Sequence, residues 1–281
     1  MFEQAALRGE IVHLDTTWKA VLERRDYPPP LRNMLGELMA AAALLAATLK
    51  FTGSIMLQVQ GEGPVKLLVV ECMADLTMRA MAHWEGELAD VSAADLIGAG
   101  RFVITLDPRD GRQTYQGIVG VEGQTVADML QEYMSRSEQL ETRLWLAADE
   151  NRAAGMLLQK MPGREDSDPD AWPRAVQFAT TLTRKELLGL PALQVIHRLY
   201  HEEDIRAFEP QPIRFHCPCT RERVAGMLRM LGYAEVAAML QEVDAIEVDC
   251  EFCNKRYVFD KVDAEQVFAS EVATQAPPGV H

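Results

Sequence analysis

The sequence predicts an α+β protein. It has an N-terminal core of antiparallel sheet with helices, a helical segment after it, and a small cysteine-bearing domain at the C-terminus. Three observations lead there. Between residues 54 and 161, strand-length apolar runs alternate with short turns, and strands joined so closely pair antiparallel. From Leu31 to Leu49 the apolar residues keep helical spacing instead. Four of the five cysteines stand as two close pairs in the last quarter of the chain.

The elements follow in order. Thr16 and Thr17 are placed to cap a short helix carrying Trp18, Val21 and Leu22. Pro28-Pro29-Pro30 ends it and can open the next helix, because proline fits a first turn. In that next helix Leu31, Leu35, Leu38 and Ala42 share a face that Leu45 and Leu49 continue, and its alanines allow close packing; it reads as a central core helix. Ser54 to Gln60 is a strand, Gly61-Glu62-Gly63-Pro64 a tight turn, and Val65 to Cys72 and Thr77 to Trp84 are strands. Arg101 to Leu106, the turn Asp107 to Gly111, and Thr114 to Val121 form a hairpin. Glu122-Gly123 turns the chain into a helix from about Val126 to Ser135, and strands at Thr142 to Ala148 and Ala154 to Met161 complete a core domain of residues 1–164.

Gly163 to Asp170 carries little apolar content and reads as a loop. Beyond it, Thr183 and Glu186 fit a capping box, where each side chain can bond the other's backbone N–H. Leu187, Leu188, Leu190, Leu193, Val195, Ile196 and Leu199 make the region apolar, while Gly189 and Pro191 interrupt it. Short, broken helices depend on tertiary contacts. The segment therefore suits either local unfolding or an ordinary packed helical subdomain. Residues 269–281, with Pro277-Pro278-Gly279 near the end, read as a frayed tail.

Composition narrows the function. Of 281 residues, 28 are Lys or Arg and 42 are Asp or Glu, so the net charge is −14, which repels phosphate backbones and disfavours nucleic acid as a partner. The longest apolar stretch, Leu38 to Leu49, is too short to span a bilayer, so no membrane partner is expected. The start, Met1-Phe2-Glu3-Gln4, lacks a basic segment followed by an apolar one, and a soluble cytoplasmic protein with reduced thiols is expected.

The cysteines carry the chemistry. Cys217-Pro218-Cys219 and Cys250-Glu251-Phe252-Cys253 supply four thiolates from two pairs, the donor set of a tetrahedral zinc site. The long interval between the pairs is tolerable because closure cost grows slowly with length. It also has structure of its own: Thr220 can cap a helix through Val224, Met227, Leu228 and Leu231, Gly232 can end it, a second helix lies near Glu235 to Leu240, and Ile246 and Val248 lead a strand to Cys250. Asn254-Lys255 then turns the chain back into Tyr257 and Phe259, placing the second pair at a hairpin bend, as in zinc knuckles. Free thiols or structural disulfides are the competing reading, which a reduced compartment disfavours. His216 adjoins Cys217, but four sulfurs already fill the shell.

Two details favour redox sensitivity over a purely structural site. Cys219 precedes a helix, where N–H groups stabilise a thiolate. A C-x-C pair can close only into a small, strained disulfide ring, the labile kind. Structural zinc contributes on the order of 10 kcal/mol or more in small domains, so its loss is expected to unfold residues 213–268.

The chain resembles the redox-regulated heat shock protein thirty-three (33 kDa chaperonin) family over essentially its whole length. The resemblance rests on Cys217, Cys219, Cys250 and Cys253, on Tyr115-Gln116-Gly117-Ile118-Val119 followed by Glu122-Gly123, on Ser137-Glu138-Gln139-Leu140, and on the Gly61-Glu62-Gly63-Pro64 turn. Relatives often carry serine after the C-x-C pair; this chain has Thr220, which caps a helix equally well. The resemblance implies a cytoplasmic, ATP-independent holdase, not an enzyme, that holds one zinc ion (Zn2+) per chain and is silent while reduced. It implies that peroxide with mild unfolding, or hypochlorous acid, forms the disulfides Cys217–Cys219 and Cys250–Cys253 and releases the metal. A linker of residues 165–212 then unfolds, unfolding client proteins bind, and homodimers form.

A thiol–disulfide oxidoreductase and a constitutive zinc-stabilised interaction module remain as alternatives. The first needs an accessible C-x-x-C at a helix start, whereas Cys250 and Cys253 fall on a hairpin. The second predicts binding indifferent to oxidant. His197 and His201 have zinc-protease spacing, but Arg198 stands where that motif needs glutamate. Gly61-Glu62-Gly63 and Gly98-Ala99-Gly100 lack the rest of a phosphate loop, so no nucleotide or other catalytic cofactor is expected. Cys72 reads as a buried small residue, and most of Met34, Met39, Met73, Met78, Met81, Met129 and Met134 as core filling.

Overall fold

The structure, a computed structural model, describes residues 1–48, 52–88, 91–108, 110–121, 125–162, 168 and 170–274. The chain divides into two compact units, Met1–His216 and Cys217–His281. The first runs β1 (Leu7–Leu14), α1 (Thr16–Leu22), α2 (Pro29–Thr48), β2 (Gly53–Gly61), β3 (Val65–Met73), β4 (Thr77–Trp84), α3 (Ala93–Ile97), β5 (Gly100–Pro108), β6 (Tyr115–Val121), α4 (Val126–Arg136), β7 (Thr142–Ala148) and β8 (Ala153–Lys160). It continues through α5 (Ala171–Ala179), α6 (Arg184–Gly189), α7 (Ala192–Tyr200) and β9 (Arg214–Phe215). The second holds α8 (Arg221–Leu231), α9 (Tyr233–Glu242), β10 (Ala245–Asp249), β11 (Arg256–Asp260) and α10 (Lys261–Thr274).

Two sheets make the core of the first unit. One has strand order β6-β5-β2-β3-β4-β9 and the other β1-β8-β7. All pairs are antiparallel except β4 with β9. Helix α2 packs against β2, β3 and β4 of the large sheet and β1, β7 and β8 of the small one. That position explains its composition. A helix apolar all round belongs in an interior, and Leu31, Leu35, Leu38, Met39 and the run Ala40–Ala42 have no exposed surface. Fully burying each leucine contributes about 1.5–3 kcal/mol. The approach is close enough to require glycine: a Cβ at Gly36 would stand 2.5 Å from Cβ of Ala148. The core-helix expectation is met from Pro29 to Thr48; Leu49, Lys50 and Phe51 lie outside the described residues.

The predicted strands all form. The hairpin register runs Arg101↔Gly120 to Leu106↔Tyr115, with Arg109 of its turn and residues 122–124 outside the described set. Helix α4 opens on a capping box between Thr125 and Asp128. Cys72 is buried in the core cluster, and burial pushes its thiol up to about 12. Met34, Met39, Met78, Met81, Met129 and Met134 are buried, as core filling requires.

Helices α5, α6 and α7 lie on the other side of the small sheet. Their Ala171, Ala175, Ala179, Leu187, Val195 and Leu199 share a separate apolar cluster with Leu7 of β1 and Met156 and Leu158 of β8. Thr183 and Glu186 form the expected capping box at α6. Polar bonds also fasten α6: His13 Nε2–H donates to the Leu187 carbonyl at 3.0 Å, Arg152 donates to that of Leu188, and Arg184 donates to that of Ala148 and pairs with Glu37 at 3.3 Å. His197 and His201 are exposed on α7 and its cap, their rings stacked 5.8 Å apart. Of the predicted loop, residues 163–167 and Pro169 lie outside the described set.

Four local features depart from the sequence reading. Asp15, not Thr16 or Thr17, occupies the N-cap of α1, and Thr17 Oγ1 instead donates to the Ile213 carbonyl at 2.8 Å. Strand β1 has no local signature, being held by β8 from Leu7↔Lys160 to Leu14↔Ala153. Helix α3 is only five residues long, and its cap, Ser92 accepting from the Asp95 N–H, is easily overlooked. Helix α10 runs past Ser270 to Thr274, while residues 275–281 lie outside the described set.

Candidate metal centre

The second unit is small, and its core is thin. Val224, Ala225 and Leu228 of α8, Val236 and Leu240 of α9, Ile246 of β10, Tyr257 and Phe259 of β11, and Ala264 of α10 form its buried cluster. Helix α8 starts where expected: Thr220 Oγ1 accepts the Arg223 N–H, and Gly232 ends the helix at φ 90°. Arg221 lies over the Phe259 ring at 4.2 Å and pairs with Asp263 at 2.7 Å, tying α8 to β11 and α10.

Two local structures present the cysteines. Cys217-Pro218-Cys219 leads directly into the Thr220 cap, so Cys219 stands just ahead of the first turn of α8. Cys250 and Cys253 occupy the bend between β10 and β11, which pair from Ala245↔Asp260 to Asp249↔Arg256. The bend is a knuckle closed by two backbone bonds, Cys250 N–H to Lys255 O at 3.0 Å and Asn254 N–H to Cys250 O at 2.7 Å. Asn254 takes φ 54°, the left-handed conformation that asparagine tolerates better than most residues.

These two structures bring all four sulfurs together. The Sγ atoms of Cys217, Cys219, Cys250 and Cys253 lie within 4.8 Å of one another, and each residue is half-buried. Two close approaches cross between the motifs: Cys217 to Cys250 at 3.6 Å and Cys219 to Cys253 at 3.3 Å. None of the cysteines is in a disulfide. His216 is not part of the group.

The sulfurs are not equivalent. Burial pushes the Cys217 and Cys253 thiols up. Burial acts on Cys219 in the same sense, but hydrogen bonds from Tyr257 and from the Cys253, Cys217 and Cys250 sulfurs outweigh it and draw Cys219 down to about 7. Tyr257 Oη donates to the Cys219 carbonyl at 2.9 Å and faces its sulfur at 3.2 Å. Tyr257 escaped the sequence reading as anything but a strand residue, since its tie to Cys219 spans 38 positions. Four converging thiols of this kind make an all-sulfur, tetrahedral-capable donor set, suited to a soft or borderline cation such as zinc. The group can hold a metal ion.

Comparisons with known proteins agree with one another. The family model described as Hsp33 protein matches residues 1–260. A protein of Methylobacillus flagellatus named 33 kDa chaperonin is 58% identical over 274 residues, covering 97% of this chain and 94% of the relative. One of the same name from Chromobacterium violaceum is 49% identical, covering 100% and 96%. The crystal structure of the 33 kDa chaperonin from Thermotoga maritima shares the fold with a TM-score of 0.85 at 23% identity, over 97% of both chains.

Proposed function

This chain belongs to the Hsp33 family of chaperones, and from that premise we propose that it is a redox-regulated, ATP-independent holdase. It is inactive while reduced and metal-loaded, and oxidation of its four cysteines switches it on. The observation that carries this reading is the convergence of four sulfurs, from two separate segments, within 4.8 Å. Cys217, Cys219, Cys250 and Cys253 are assigned as the metal ligands, and one zinc ion bound there would join the segment ahead of α8 to the knuckle through four thiolates.

Oxidation acts on the same atoms. A thiolate sulfur attacks a peroxide oxygen and becomes a sulfenic acid as hydroxide leaves; a neighbouring thiolate then displaces a second hydroxide and closes the disulfide. Two electrons pass from the two sulfurs to the peroxide. With hypochlorous acid the leaving groups are hydroxide and chloride. The pairing follows the family resemblance, Cys217 with Cys219 and Cys250 with Cys253. A sulfur held in a disulfide no longer donates as a thiolate, so each bond formed removes two donors. A cluster of nine buried residues is a small core, and domains of this size depend on such staples.

Residues 213–268 are then expected to unfold and the linker, residues 165–212, to follow. Release of α5, α6 and α7 would uncover Ala175, Leu187, Val195 and Leu199 and, beneath them, Leu7, Met156 and Leu158. That is an apolar surface of the kind unfolding proteins bind. On this reading the clients are unfolding cytoplasmic proteins, the oxidised chain is a homodimer, and no substrate is turned over. Among the described residues no helix is long and apolar enough to cross a membrane.

Zinc release, read with a colorimetric chelator during titration by hypochlorous acid, tests the proposal when followed in the same sample by suppression of citrate synthase aggregation. Release of one zinc per chain in step with suppression is expected. Release without suppression, or suppression without release, would overturn the switch. The value of about 7 for Cys219 also suits a thiol–disulfide oxidoreductase. Catalytic turnover of insulin reduction would favour that reading, whereas consumption stoichiometric with the protein would exclude it.

A further inference from the structure

The sulfur cluster contains a side chain that four-sulfur ligation does not call for. Tyr257 sits in β11 opposite Val248 of β10. Its ring belongs to the buried cluster of the unit and the residue is 5% exposed. Its hydroxyl lies 2.9 Å from the Cys219 carbonyl and 3.2 Å from the Cys219 sulfur. One hydrogen serves both acceptors as a three-centre bond. The carbonyl bond fixes the backbone one residue ahead of the Thr220 cap, and the second reaches the lone pairs of the sulfur itself.

A hydrogen bond donated to a sulfur withdraws electron density from it. The intrinsic nucleophilicity of a thiolate falls as its basicity falls, and a partly desolvated site strengthens the effect. Hydrogen-bond donors to ligand atoms tune sulfur ligands in metal sites generally. Resting on the redox reading above, we propose that Tyr257 is a positioning residue that restrains oxidation of the Cys217/Cys219 pair by holding and deactivating the Cys219 sulfur. Tyr257 thereby sets how much oxidant that pair requires. In the step it restrains, two thiolates give two electrons to one hydrogen peroxide, forming one disulfide and two hydroxides. Tyr257 loses neither its proton nor an electron.

Tyr257→Phe keeps the ring and removes the donor. The zinc-loaded full chain is exposed to hydrogen peroxide, quenched, alkylated, and each pair is followed by mass spectrometry. The Cys217/Cys219 pair is expected to oxidise about three- to tenfold faster than in the wild type, with Cys250/Cys253 changing less than about twofold. Val248→Ala loosens the same hairpin while keeping the hydroxyl, and should move both pairs together. Equal acceleration of both pairs in Tyr257→Phe would reduce Tyr257 to a structural residue and overturn the proposal, as would unchanged rates. If Tyr257→Phe takes up less than one zinc, 4-aminophenylalanine at position 257 keeps the ring and a weaker N–H donor. Its Cys217/Cys219 rate must then exceed that of the wild type while Cys250/Cys253 stays unchanged, and any other pattern counts against the proposal. These rates are read whether or not the oxidised protein suppresses aggregation, so failure of the holdase reading and failure of this one are separate results.

Discussion

The two units of this chain are held together by different means. Among the described residues, Met1–His216 carries apolar clusters of 42 and 15 buried residues, the larger wrapped around α2. Cys217–His281 carries one cluster of nine. A core the size of the first stabilises a domain by burial alone. A core the size of the second supplies only a few kcal/mol and needs a staple. A chain built this way can lose the staple of one unit and leave the other standing, the contrast that the proposed oxidation of Cys217, Cys219, Cys250 and Cys253 would use. Helices α5–α7 fall between the two cases. They pack on a real apolar cluster, but each has nine residues or fewer; α6 has the capping box and the bonds of His13, Arg152 and Arg184, whereas α5 and α7 start without a side-chain cap.

The largest test of the contrast is metal removal. Chelation, or the double substitution Cys217→Ser with Cys219→Ser, should withdraw on the order of 10 kcal/mol from the second unit. Hydrogen exchange is then expected to become fast from residue 213 to 268, β9 included, while strands β1 to β8 stay protected. Undiminished protection in the second unit would show that its nine-residue core suffices.

A core truncation should give the converse. Leu38→Ala opens a cavity in α2 at a residue with no exposed surface and should cost about 2–5 kcal/mol of unfolding free energy by urea titration. Zinc affinity by chelator competition should remain at the wild-type value. A matching loss of affinity would mean that the two units are not independent in stability.

A pH dependence belonging to the first unit comes next in size. Burial pushes Glu37 from 4.5 up to about 7, with Arg184 pulling the other way. A carboxyl whose folded-state pKa lies above its unfolded one binds its proton more tightly when folded. Its contribution is therefore complete below 4.5 and is lost as pH rises through about 7. The change is up to about 3 kcal/mol, and Glu37→Gln should remove it from the pH profile of urea unfolding. His13 acts in the opposite direction: burial lowers it, so its contribution is lost as pH falls through 6.5. The Glu37→Gln protein should thus retain a decline toward acid.

The smallest expected effect concerns the intermediate region. Thr183→Ala removes the capping box of α6 and should cost about 1 kcal/mol. Faster exchange should be confined to residues 184–190, and the oxidant dose at which limited proteolysis first cuts between 165 and 212 should fall. Unchanged cleavage there would separate the linker from the switch.

Much of this architecture was legible because its signals are local. The proline run that opens α2, the capping box at Thr183, the Thr220 cap with Gly232 at the far end of α8, and the knuckle around Asn254 each need only a few neighbouring residues. Strand β1 was not legible, because Gly9, Glu10 and His13 carry no strand pattern until β8 is laid beside them. The cap of α1 was misplaced because two adjacent threonines look like caps in sequence, whereas Thr17 is drawn instead to the Ile213 carbonyl, 196 positions away.

By itself the sequence determined the fold class, the helical character of α2 and the identity of the four clustered cysteines, since composition and spacing follow from chain stereochemistry within a turn or two. Tertiary structure alone decided that α2 lies between two sheets, that α6 is fastened by His13, Arg152 and Arg184, and that Tyr257 points its hydroxyl at one sulfur of four. Those facts depend on hydrogen bonds and close packing between residues far apart in the chain, which acquire partners only once the backbone has been brought together.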